Sequence, residues 1–243
     1  VPSSIGDVDY DELESIFAEV ESGIGSARSM VDVAAHVTTA LYDRFAPSVA
    51  LVRLFATVPY MRLPDAERVF AEAIAAQSTE TLQPDTPVLV LLGTRGDEPE
   101  WNDRTKSSGH LAIPLISQAF VDEIPMLARL LTSIGFEADW GGTGRGFVTK
   151  SIANLNGVFF VDDARTALDE RGRNIIPAAS FVERYKIRSV FGIGGSYVSR
   201  HAYLAAMLFT RESMMRSNAM TFVPLIGSLK ASTTRLINRE QFF

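Results

Sequence analysis

Two apolar runs, IRSVFGIGGSYV at 187–198 and AYLAAMLFTRE at 202–212, are separated by only Ser199, Arg200 and His201. Parallel neighbours in a sheet need a crossover of a dozen residues or more, so a three-residue connection dictates an antiparallel hairpin. The rest of the chain must supply a sheet for that hairpin to join. SVALVRLFATV at 48–58 is β-branched and apolar, interrupted only by Arg53, and reads as a strand. PVLVLLGT at 87–94 is nearly continuous in apolar character, which predicts burial on both faces. GVFFVDD at 157–163 predicts a further strand, and LAIPL at 111–115 a short edge strand where Pro114 costs little.

Helical spacing appears between and around these runs. Residues 8–22 place Leu13, Ile16, Phe17 and Val20 on one stripe, with Asp7 or Asp9 as cap, until Gly23 and Gly25 break the pattern. Ser26 is read as the cap of a second helix carrying Met30, Ala34, Val37, Leu41 and Phe45 and ending before Pro47. Asp65 opens a short helix whose stripe is Val69, Phe70, Ala73 and Ile74. Residues 119–134 form a strong stripe with Pro125 in the first two turns, and a further helix is expected around 180–185. A closing helix over 217–237 carries Phe222, Ile226, Leu229, Thr233 and Ile237. The segments 95–110 and 139–146 read as loops, and no repeat of solenoid length is present.

Helices and strands together make a mixed α/β chain, and the part of its sheet built from 187–212 is antiparallel. With 243 residues, 47% of them apolar, one substantial core is expected without staples. The division read is a helical extension over 1–46, packed on the domain or on a dimer partner, and a main domain over 47–243. A net charge of −6 without a basic tract argues against nonspecific nucleic-acid binding. No apolar run reaches roughly 18 residues and no signal segment is seen, so no membrane partner and a cytoplasmic location are expected. The absence of cysteine removes disulfides, thiolate nucleophiles and thiolate metal sites, in keeping with a reducing compartment.

No catalytic constellation stands out. GIGGSY at 192–197 runs into a hairpin instead of a helix, and GGTGRG at 141–146 lacks the ending of a phosphate loop. There is no Gly-x-Ser-x-Gly elbow, and His36, His110 and His201 form no metal-ligand pair. Asp32 and His36, at i,i+4, read as a surface pair or a local hydrogen bond. His110 closes the polar segment 95–110 and is either a hydrogen-bonded structural residue, the commoner outcome, or a ligand contact. The acids Asp97, Glu98, Glu100 and Asp103 sit among Arg95, Arg104 and Lys106, and a solvated loop is the default reading there.

The order of elements from Ser48 onward resembles a GAF domain, most closely over FVERYKIRSVFGIGGSYVSRHAYLAAMLFTRES at 181–213 and the helix that follows. VLVLLGTRGDEPEWNDRTKSSGHLAIPL is similar to a segment of GAF-type sensor regions in bacterial signalling proteins. The resemblance implies an α+β fold, a GAF/PAS-like central antiparallel sheet flanked by helices with amino- and carboxy-terminal helices, and a regulatory module without chemistry of its own. Its small-molecule pocket would lie between the sheet and the covering segments 95–135 and 139–186. Without cysteine, covalent bilin attachment and the thiol-based sulfoxide reductase branch are struck out. The Asn-Lys-Phe-Asp-Glu signature of cyclic-nucleotide-binding members is also missing. A reversibly bound small molecule of unspecified identity is the cofactor or ligand that remains.

Candidate ligand-binding residues are Arg53, Trp101, Arg104, His110, Phe159, Tyr185 and Arg188. Against this stand bland roles: Arg53 and Arg188 facing solvent, and Phe159 and Tyr185 in the core. The partners expected are a small-molecule ligand, a second copy of the chain through the terminal helices, and an output domain. Two competing readings are a dimerisation module without ligand and a small-molecule enzyme using His110 with the acids of 97–104.

Overall fold

The computed structural model describes residues 4–78, 80–136, 156–198 and 202–243. Asp9 caps α1 (Tyr10–Ile24) by accepting from the Glu12 amide at 2.8 Å. The cap of α2 (Met30–Phe45) is Ser29, not Ser26, because Asp32 three residues on completes a reciprocal capping box. That use of Asp32 also overturns its pairing with His36: the carboxylate accepts from the amides of Arg28 and Ser29, while His36 Nε2 meets the Glu19 carbonyl at 3.2 Å.

The strands β1 (Val49–Pro59), β2 (Pro87–Gly96), β3 (Ala112–Pro114), β4 (Asn156–Val161), β5 (Ser189–Ser196) and β6 (Tyr203–Thr210) form one antiparallel sheet in the order β3-β2-β1-β6-β5-β4. The hairpin β5–β6 pairs as its short connection demands, although residues 199–201, with His201, lie outside the described residues, as does the 139–146 segment. Pro114 sits on the edge strand, where its missing amide breaks no inner ladder. The first and last strands lie side by side at the centre, so the sheet closes only when both are in place.

Side-chain alternation divides the core in two. Val52, Leu54, Ala56 and Val58 of β1 face one cluster with α1, α2 and two later helices, α7 (Arg216–Met220) and α8 (Val223–Asn238). Leu51 and Phe55 face a second cluster with α4 (Gln118–Asp122), α5 (Pro125–Ser133) and α6 (Ala179–Arg184). The stripes on α1 and α8 that could have met a partner are covered within the chain: Leu13, Ile16 and Val20 are buried, as are Ile226, Leu229 and Ile237.

Two helices expected to be continuous are each two. Pro125 starts α5 instead of riding inside one helix over 119–134, and Ile124 before it is extended (φ −114°, ψ 91°). A proline pushes the preceding residue out of the helical region, and its ring cannot follow a preceding turn. Pro224 sits in the first turn of α8, and Thr221 and Phe222 separate that helix from α7. On α3 (Asp65–Ala75) the buried face is Glu67, Ala71 and Ala75, while Val69, expected inside, is 64% exposed. The reason is electrostatic: Glu67 turns inward to meet Arg104 at 2.6 Å.

Candidate functional site

The polar segment expected as a plain loop is built. Two short 3₁₀ turns, Pro99–Asn102 and Arg104–Lys106, fold back onto β2, and most of its charges are committed. Asp97 takes the Tyr42 hydroxyl at 2.7 Å and pairs with Arg211. Glu98 takes the Tyr185 hydroxyl at 2.6 Å and pairs with Arg184 at 3.2 Å. Asp103 accepts from the backbone and hydroxyl of Thr105. Desolvation and the Asp97 bond together push Tyr42 up to about 12.

Gly96, at the end of β2, makes room for this segment. A Cβ there would stand 2.7 Å from Trp101 Cε3 and 2.8 Å from the Ala50 carbonyl. Trp101 can therefore lie on the strand end. It meets Tyr185 at 4.5 Å and Phe181 at 5.6 Å between ring centroids, and Phe181 in turn meets Phe209 at 5.4 Å. Offset and edge-on aromatic contacts of this kind make a rigid apolar wall.

Between that wall and the sheet lies a cleft of about 340 Å³. Its floor is Arg53 with Leu51, its far side Met126 and Ile176, and its rim Lys106, Ser107 and His110. Arg53 and Thr94 are direct cross-strand partners. Their adjacency depends on a bulge: the register slips by one residue between Leu54 and Phe55, and without it Gly93 would stand opposite Arg53. A one-residue slip moves side chains to the other face of a sheet, so the bulge hands Thr94 to the cleft and Gly93 to α2.

Three buried polar atoms at this cleft, Arg53 Nε, Thr94 Oγ1 and Ser107 Oγ, have no hydrogen-bond partner among the described residues. Arg53 forms no ion pair there either, and burial lowers its guanidinium to about 10, which leaves it charged at neutral pH. His110 is exposed and lines the cleft. Desolvation first, and the Arg53 charge second, push it down to about 4, so it is neutral at pH 7. No carboxylate among the described residues hydrogen-bonds to His110, although Glu100 and Asp103 share the cleft.

Three of the seven sequence candidates, Arg53, Trp101 and His110, thus line one cleft, and Tyr185 buttresses its wall from behind. The other three lie elsewhere. Arg104 is held by Glu67 at 2.6 Å and by the Leu91 carbonyl at 3.3 Å, with the Phe243 ring 5.5 Å away. Phe159 is fully buried in the core beneath α5, and Arg188 is exposed in the turn entering β5. Thr94, Ser107 and Phe181 are cleft residues that the sequence reading missed. For Thr94 the missing signal was the register. Among the described residues no cluster of His, Asp and Glu could hold a metal ion, and no helix is long and apolar enough to cross a membrane.

No family model matches the sequence, and no curated protein matches it. Solved structures do align. A free methionine-R-sulfoxide reductase from Neisseria meningitidis, in complex with its substrate, is 12% identical over 98% of this chain and 98% of its own, with a TM-score of 0.52. The phycoerythrobilin-bound GAF domain of a cyanobacterial phytochrome is 10% identical over 94% and 97%, with a TM-score of 0.47. The GAF domain of an Acinetobacter phosphoenolpyruvate-protein phosphotransferase is 12% identical over 94% and 96%, with a TM-score of 0.44. A six-stranded antiparallel sheet with helices on both faces, aligned with the reductase over nearly the whole of both chains, has a GAF-like α+β fold.

Proposed function

We propose that this chain is a regulatory domain that binds a small molecule reversibly in the cleft above β1 and β2 and signals through its terminal helices. The observation that carries this reading is the convergence of unmet polar groups, Arg53 foremost, on one aromatic-walled cleft. Ligand sites are concave, mostly apolar, and set with a few convergent polar groups. The cleft has that composition, and its volume lies at the small end of the usual range.

Transmission follows from the sheet's two faces. β1 carries Arg53 on the cleft side and Val52 and Leu54 on the side of α2 and α8. Gly93 brings β2 against α2 so closely that a Cβ would stand 2.5 Å from the Ala34 backbone. A ligand that prefers one strand arrangement shifts the helix layer by its differential affinity. GAF-type structures seen with a bilin bound make a small-molecule role a natural use of such a fold. The parent would be a bacterial signalling protein with an output domain.

The test is a metabolite screen read by thermal shift. A ligand at a hundredfold excess over its Kd contributes about 2.7 kcal/mol, roughly 5–10 °C in Tm for a chain of this size. A shift abolished by Trp101→Ala supports the reading. A broad screen without a hit in the folded protein, or hits that Trp101→Ala leaves untouched, would overturn it.

A further inference from the structure

The polarity of the cleft goes further than the presence of a ligand and names its class, given that the cleft is the binding site. Around it, cations and anions are matched: Arg104 with Glu67, Arg184 with Glu98, Arg211 with Asp97 and Arg95 with Asp43. Arg53 is the cation at the floor, and no described residue supplies its counter-ion. Of the acids in 95–110, Asp97 and Glu98 are spent on Arg211 and Arg184, while Glu100 and Asp103 line the cleft without pairing with Arg53. A desolvated cation without an acceptor is a standing cost to stability, and such costs persist where function requires them.

We propose that the cleft recognises a monocarboxylate on a small apolar or aromatic body, with the carboxylate on the Arg53 guanidinium and the body against Trp101, Phe181 and Phe209. A guanidinium is a planar fork of donors that matches a carboxylate, and the adjacent Thr94 and Ser107 hydroxyls add donors that need an acceptor. The neutral His110 ring contributes no competing charge at pH 7. Lys106 joins Arg53 on the positive side and Glu100 and Asp103 oppose them, so the lining is neutral overall: one carboxylate can meet the Arg53 guanidinium, while the second charge of a phosphate monoester is repelled by the two acids. The 340 Å³ volume limits the body to a compact one.

The experiment uses the full chain and a fragment set of aryl and alkyl monocarboxylates, each matched with its primary amide, its amine and its phosphate monoester. Binding is read by protein-detected NMR at His110 and Arg53. Carboxylates should bind at least tenfold more tightly than their amides, raise the His110 pKa, and lose at least tenfold in affinity with Arg53→Gln. Arg53→Met removes an unpaired, partly buried cation while keeping an unbranched apolar stem. It should abolish carboxylate binding while raising the Tm of the unliganded protein by about 2–4 °C. A purely structural arginine would give the opposite sign in Tm. Amides or amines binding in the cleft as well as carboxylates, or phosphate monoesters binding better, would overturn the carboxylate assignment and leave the cleft as the ligand site. Cleft binding by none of the four series would overturn both.

Discussion

Arg53 and Lys230 are both drawn into the interior, and the fold treats them differently. Lys230 on α8 donates to the Ser196 carbonyl at 2.9 Å, so its burial, which lowers its pKa, is partly repaid. Arg53 has no such acceptor among the described residues. As a lone charge in an apolar strand it was visible in the sequence, whereas the unmet hydroxyl beside it was not, because Thr94 reaches that place only through cross-strand pairing. His110 gives a pH signature. Its folded pKa near 4 lies below the ordinary 6.5, so the unfolded chain binds more protons between these values. Stability should therefore fall as pH drops from about 6.5 to 4; His110→Gln should lack that component, so the wild-type-minus-variant difference in urea titrations should fall over this range. Glu67 supports a separate prediction. It is 2% exposed and partners the half-buried Arg104, so Glu67→Ala should cost about 3 kcal/mol by strandng that cation, measured by denaturant unfolding.

At the scale of elements, position in a strand decides what a glycine permits. Gly96→Ala would drive a methyl into Trp101 and the Ala50 carbonyl, and should cost about 1–3 kcal/mol. In a Trp140→Phe background it should also shift the emission of the remaining tryptophan, and unchanged emission would show that Trp101 does not rest on that strand. Most of the elements were legible because their periods are clean: β1, β2 and the β5–β6 hairpin fall within a few residues of where the sequence puts them. The errors share a physical origin. Stripes over 119–134 and 217–237 continue in register across Pro125 and Pro224, so apolar spacing alone cannot show that each chain segment turns there. The inward turn of α3 had no periodic signal, since it follows from an ion pair between Glu67 and a residue far along the chain. The 95–110 segment hid its order in side-chain bonds that composition does not encode.

For the whole molecule, the antiparallel α+β architecture could be read from the sequence, while the cleft could be read only in part. Its location over one face followed from the resemblance, but three of the seven named residues lie away from it: Arg104 is turned to Glu67 as 95–110 folds back, Phe159 is packed into the core, and Arg188 is exposed before β5. The proposed transmission from the cleft to the opposite face relies on the close approach of Gly93 to α2. Gly93→Ala should push α2 off the sheet and raise amide hydrogen exchange along Val33 to Leu41, while Gly109→Ala, which meets open space, should leave it unchanged. The central pairing of β1 with β6 has a consequence in time. During synthesis β1, β2 and β3 emerge early, yet the inner edge of β1 stays unsatisfied until the final strand arrives. An apolar strand with an open edge invites pairing with other chains. Contacts this distant in sequence also slow folding, toward the millisecond-to-second range, so refolding yield should fall with protein concentration in stopped-flow and light-scattering measurements. The strand that carries Arg53 is thus the one the nascent chain must protect longest.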